Sequence, residues 1–213
     1  MQLSRYLTHT ALSAILLSAS SGVMAQVTTP KYNIDLSHSK VGFEISHLMI
    51  STVEGSFKTF SGTFRYDAAT HSLSDSTIAI QAASIDTNEA KRDQHLQGPD
   101  FLDANQFPIL TFTPSKLEKK DAKPSFLHGM LQMRGVTKPV TLHVEFGGII
   151  KDPMMGVNRM AFTLTGEINR KDFGMVWNKV LDAGGLAIGE MVKIKIRIEA
   201  VEEVPKKETE TRK

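Results

Sequence analysis

The chain has 213 residues, 41% of them hydrophobic, with 25 Lys and Arg against 23 Asp and Glu, a formal net charge of +2 and no cysteine. A balance so near zero gives no electrostatic reason for a nucleic-acid partner or an acidic surface. Without cysteine there is no disulfide framework and no thiol for lipid acylation, so the fold has to rest on one sizeable core, which a chain of this length can build.

Arg5 is the one charged residue before Gln26. It precedes the apolar run Ala11-Leu12-Ser13-Ala14-Ile15-Leu16-Leu17, and Val23-Met24-Ala25 supplies a small-residue cleavage site. This order reads as a secretory signal peptide over residues 1–25, because the apolar stretch is well short of the roughly 20 residues that span a bilayer. No later segment is suited to a stable membrane span. Residues 26–30 form a short polar lead-in, residues 31–201 one domain, and residues 202–213 (EEVPKKETETRK) a charged tail with almost nothing to bury, expected to be disordered.

Within the domain the dominant pattern has a period of two. Val41, Phe43, Ile45 and His47 alternate with Gly42, Glu44 and Ser46. Ser56 to Tyr66 and Thr77 to Ile85 are strand-like with weaker alternation. Asn88 to Gln97 breaks the rhythm: it is polar, rich in helix formers, and Asn88 is placed to cap it. Leu110 to Ser115 and Phe126 to Arg134 resume the strands. Val140, Leu142, Val144 and Phe146 then alternate with Thr141, His143 and Glu145, and Met160, Phe162, Leu164 and Ile168 follow, with Gly166 as a bend. Asp172 to Asn178 is too short and mixed for a strand and reads as a short helix or turn. Last, Val192, Ile194, Ile196 and Ile198 oppose Lys193, Lys195, Arg197 and Glu199, a half-buried strand. Eight strands with one apolar face each predict an all-β sandwich or closed barrel, and the two excursions are where a barrel would carry lids.

Motifs for catalysis are missing. The seven histidines show no metal-ligand spacing, and there is no nucleophile elbow, P-loop or dinucleotide fingerprint. His47 shares the apolar face of its strand, where it is either a polar handle for a ligand headgroup or a strand-end histidine near solvent. Met154, Met155 and Met160 suggest a soft thioether site for copper or, more simply, filler for irregular apolar space. Lys91-Arg92-Asp93 with His95 reads as an acid/base pair or as a solvated helix face with a structural ion pair. Leu96, Phe101, Leu102 and Phe107 flank that segment like the inward side of a cover.

Several separated motifs carry a resemblance. They are Tyr32-Asn33-Ile34-Asp35 with Val41-Gly42-Phe43; Phe60-Ser61-Gly62-Thr63-Phe64; Ala83-Ser84-Ile85-Asp86-Thr87 with Arg92-Asp93 and His95-Leu96; Phe101-Leu102-Asp103, Phe107-Pro108 and Thr111-Phe112; Arg134-Gly135-Val136-Thr137-Lys138-Pro139-Val140; and Asn169-Arg170-Lys171-Asp172-Phe173-Gly174 with Trp177. In this order they resemble the YceI-like family of lipocalin-like, isoprenoid-binding proteins, from about Tyr32 to Val201. Gly147 to Arg159 matches no family motif. The resemblance implies an eight-stranded antiparallel barrel with one or two short helices as lids, a periplasmic location, and an apolar channel for an isoprenoid quinone, prenyl phosphate or other long-chain lipid. It implies binding for transport, storage or sequestration rather than catalysis, with no cofactor or metal. A possible homodimer stays open, as do an enzyme acting on such a lipid and a copper-handling protein. The lining expected for the channel is Val41, Phe43, Ile45, Leu96, Phe101 and Phe107, with Phe112, Val144, Phe146, Met160, Phe162 and Leu164. Ile168, Phe173, Trp177, Ile194 and Ile196 complete it. His47, Arg92, Asp93, His95, Arg170 and Asp172 are the candidates for holding a headgroup or bracing a lid.

Overall fold

The computed structural model describes residues 29–182 and 184–204. The proposed signal peptide and most of the charged tail lie outside the described residues. The chain forms β1 (Lys31–Ile34), β2 (Lys40–His47), β3 (Ser51–Phe57), β4 (Phe60–Asp67), β5 (Ser72–Gln81), β6 (Ile85–Asp86), α1 (Ala90–Gln97), β7 (Ile109–Lys120), β8 (Lys123–Met133), β9 (Val136–Lys151), β10 (Asn158–Asn169) and β11 (Ile188–Glu202).

These strands close into an eight-stranded antiparallel barrel. The ring runs β1-β4-β5-β7-β8-β9-β10-β11 and shuts where β1 pairs with β11, Tyr32 opposite Glu202. Two wall positions are filled by broken strands. β1 takes the far end of β11, and β2 takes its near end, with Val41 opposite Ile196. β3 pairs with β2 and β4 with β1 in the same manner. The run Ser56 to Tyr66, continuous in the sequence reading, breaks at Lys58 and Thr59. Ser84 fills the gap, accepting from the Lys58 amide through its carbonyl and from the Thr59 amide through its hydroxyl. The last strand extends further than expected: Glu202, read as the first tail residue, still pairs within the sheet.

Tight connections hold the middle of the wall. Asp121 and Ala122 link β7 to β8, and Arg134 and Gly135 link β8 to β9; all four have positive φ, the two-residue turn that matches strand twist. The unmatched stretch from Gly147 is a continuation of β9, a turn at residues 152–157, and the start of β10. A bulge sits at Gly147, where Phe146 pairs with Phe162 but Gly148 with Ala161.

The interior has two parts. At one end Tyr32, Phe64, Tyr66, Met160, Ile198 and Ala200 pack solidly, with Tyr32 stacked on Phe64 (5.7 Å) and Tyr66 against Phe146 (5.9 Å). Outside this end Arg159 bonds Asp35 (2.8 Å), Asp152 (2.5 Å) and Glu199 (2.7 Å), tying β1, the β9–β10 turn, β10 and β11 together. Hydrogen bonds from Ser37 and then Arg159 hold the Asp35 carboxyl far below the usual range; those from Arg159 and the Met155 and Met154 amides lower Asp152. The other end is hollow.

Candidate ligand-binding site

A cavity of about 540 Å³ occupies the hollow end. Each wall strand contributes its inward set, so period two becomes a lining. β2 gives Val41, Phe43, Ile45 and His47; β10 gives Phe162, Leu164 and Ile168; β11 gives Val192, Ile194, Ile196 and Ile198, while Lys193, Lys195 and Arg197 point to solvent. Phe112 of β7 also lines it. Two glycines let aromatic rings lie flat against the wall. A side-chain carbon on Gly55 would come within 2.3 Å of the Phe43 ring, and one on Gly129 within 2.4 Å of the Phe112 ring.

The cover is α1 with the segment that follows it. Its cap is Glu89, whose carboxylate accepts from the Lys91 and Arg92 amides. Asn88, expected in that role, instead adopts the left-handed conformation just before it (φ 61°). Leu96 faces the cavity. His95, Phe101 and Trp177 form a three-ring cluster over it, with His95 at 5.0 Å from each of the others and Phe101 at 5.5 Å from Trp177. Two bonds close the loop onto the helix, Leu102 amide to Leu96 carbonyl (3.0 Å) and Ala104 amide to Gln97 carbonyl (2.9 Å). Arg134, from the β8–β9 turn, donates to the Phe101 carbonyl at 2.8 Å.

Arg92 and Asp93 do not form an ion pair with each other; both converge on Thr87. Asp93 accepts from the Thr87 amide (2.8 Å) and hydroxyl (2.6 Å). Arg92 donates to the same hydroxyl (2.7 Å) and to the Thr87 carbonyl (2.7 Å). Thr87 is buried and anchors the start of α1, a role that sequence reasoning missed; its place in the Ala83 to Thr87 block was the available signal. Nor do Asp93 and His95 form an acid/base pair. His95 bonds Asp100 (2.9 Å), and Asp93 is taken up by Thr87.

Five of the expected lining residues lie elsewhere. Phe107 packs its ring on Gly135 at the β8–β9 turn. Val144 is buried in the main core without reaching the cavity, and Phe146 and Met160 belong to the solid end. Phe173 is fully buried in a short 3-10 turn, Arg170–Phe173, directly after β10. Asp172 of that turn is exposed and does not face the cavity. Asp93, taken up by Thr87, does not line it either, while the other expected residues, including His47, Arg92, His95, Arg170 and Trp177, do. The turn that begins at Asp172 in the sequence reading starts at Arg170, capped by Asn169, whose side chain accepts from the Lys171 amide.

The methionines do not converge. Met160 is buried in the solid end, while Met154 and Met155 project from the β9–β10 turn that Asp152 organises. Asp35, His38 and Glu199 lie close enough to share an ion, but Arg159 bridges both carboxylates.

The comparisons agree with this geometry. A UPF0312 protein of Staphylococcus aureus is 35% identical over 168 residues, covering 79% of this chain and 95% of its own length. One from Photorhabdus laumondii is 39% identical over 162 residues, 75% and 81% of the two chains. The YCEI protein of Campylobacter jejuni superimposes with a TM-score of 0.65 at 35% identity, over 80% of this chain and 96% of that one. A polyisoprenoid binding domain from Saccharophagus degradans shares the fold at 15% identity, TM-score 0.55, over 81% and 98%. The sequence profile of the YceI-like domain matches residues 32–200, the entire wall from β1 to β11, and the chain belongs to that family.

Proposed function

We propose that this chain is a non-catalytic binding protein that holds one long-chain amphiphile of the isoprenoid type, a quinone or prenyl phosphate among them, in its barrel after export to the periplasm. The observation that carries the reading is the cavity itself: about 540 Å³, walled by Val, Ile, Leu and Phe and partly covered by an aromatic cluster. Burying hydrocarbon there is worth about 25 cal/mol per Å² before ordering costs. Polyisoprenoid binding by the fold-sharing Saccharophagus domain supports the ligand class.

Trp177 is the sole tryptophan and lines the site, so its emission reports occupancy directly. Titration with isoprenoid alcohols of decreasing length is expected to weaken binding steadily, by at most about 0.8 kcal/mol per CH₂ removed. Affinity that ignores tail length would refute the reading. Native mass spectrometry followed by organic extraction would identify a lipid carried through purification.

A further inference from the structure

The lipid site contains one charged group that the barrel only half satisfies. Arg170 is 2% exposed. Its Nε donates to the Gly189 carbonyl at 2.8 Å and its Nη1 to the Met175 carbonyl at 2.5 Å. Its Nη2 has no partner among the described residues, and the side chain lines the cavity. The guanidinium cannot discharge itself by losing a proton in any ordinary range. Burial pushes it downward all the same, with Glu190, held by Lys171, acting weakly the other way.

The surroundings share its sign. The ionisable groups that line the cavity are Lys91, Arg92 and His95 from α1, His47 from β2, Lys179 from the loop before β11, and Arg170; the lining includes no carboxylate. A neutral carbonyl could accept one N–H from Nη2 but would leave the charge buried and uncompensated, which is the costly state for an ion in an apolar interior. An oxyanion answers both needs, and guanidinium binds phosphate and carboxylate oxygens with charge-assisted hydrogen bonds.

Resting on the proposed lipid reading, the geometry points to a ligand with an anionic phosphate or carboxylate head, received by the Arg170 guanidinium in a lining whose other charged side chains, Lys91, Arg92 and Lys179, are all cationic. The hydrocarbon then runs from this end toward the Tyr32–Phe64 stack. The solid end carries no such orphaned donor among the described residues.

The test compares farnesyl phosphate, farnesol and inorganic phosphate by Trp177 fluorescence on the full folded protein. The expected result is farnesyl phosphate bound at least tenfold more tightly than farnesol, with inorganic phosphate alone too weak to displace it at equal concentration. Arg170→Gln keeps a donor for the neighbouring carbonyls and removes the charge. It is expected to cut the preference, read as the ratio of the two affinities in the same variant, to less than threefold. Should that variant fail to fold, the wild-type preference decides alone. Equal binding of farnesol and farnesyl phosphate overturns the headgroup inference and leaves the lipid reading standing. Failure of both to bind overturns the lipid reading. Displacement by inorganic phosphate at equal concentration makes the site one for the free anion and overturns the inference.

Discussion

Thr87→Val removes a single hydroxyl at nearly constant volume, and the structure specifies what is lost. That oxygen donates to Asp93 at 2.6 Å and accepts from Arg92 at 2.7 Å, two of the four bonds that pin the start of α1 to the end of β6. Hydrogen bonds to charged groups are worth about 1.5–3 kcal/mol each. Asp93 keeps the Thr87 amide and Arg92 keeps the Thr87 carbonyl, and both side chains are half-exposed, so water recovers part of the loss. A net cost of about 1.5–3 kcal/mol remains, confined to the anchor of the cover. At roughly 1.4 kcal/mol per factor of ten, local opening should become about ten- to a hundredfold more frequent. Native-state hydrogen exchange reads this at the Asp93, Leu102 and Ala104 amides, whose acceptors all lie within the cover. Stopped-flow release of a fluorescent prenyl analogue should accelerate in parallel. Unchanged exchange at those three amides would refute the anchoring role, and equal acceleration throughout the wall would show that Thr87 supports the entire barrel.

Ile196→Asp should unfold the domain, because it places a carboxylate in the apolar lining, whereas Lys193→Gln should stay within about 0.5 kcal/mol of wild type; thermal melts compare them. Lys193 is the better control since Lys195 pairs with Glu44. Gly55→Val should push the Phe43 ring off the wall into the cavity, weakening long isoprenoids more than short ones in the Trp177 titration; equal losses across the series would refute that. Because Asp35 and Asp152 titrate below their ordinary 3.8 when folded, their contribution is complete above that pH and is lost as pH falls through the depressed values. Arg159→Leu should therefore flatten stability against pH in the acid range, measured by urea unfolding between pH 5 and pH 2; a curve as steep as wild type would deny the network that role.

Why was the wall readable and the cavity only partly so? Alternation along Val192 to Ile198 states which face is inside, because a slip of one residue would invert it. It does not state how deep each inward residue lies. Met160 and Phe162 share a face of β10, yet Met160 fills the solid end and Phe162 lines the hole. That distinction depends on the height of each strand in the ring, set by pairings such as Phe146 with Phe162 and not by local pattern. The cover was visible as a polar interruption, but its bonding was not. Adjacent Arg92 and Asp93 suggested each other as partners, whereas a helix turns neighbours apart and both reach back to Thr87. β1 is not legible as a strand because four residues carry too little periodicity. Phe107 reads as lining because it flanks the cover, and Phe173 because it sits in a family block beside Trp177; Phe107 packs on Gly135 and Phe173 in the main core instead.

The closing of the ring by β1 and β11 also bears on the order in which the protein can fold. Tyr32 and Glu202 meet across 170 positions, while the β7–β8 and β8–β9 hairpins form within a few residues of each other. Local hairpins gain their contacts early; the seam has to bring the first and last strands together and is rewarded by three residue pairs plus the Arg159 bridges. Until the final strand is available, the inner face of β10 and the cavity wall remain open to one side, an unpaired edge exposing the same Phe162, Leu164 and Ile168 that later line the site. The chamber is therefore expected to close late in folding, and a chain that stops short of β11 lacks both the closing strand and the Val192, Ile194, Ile196 and Ile198 share of the lining.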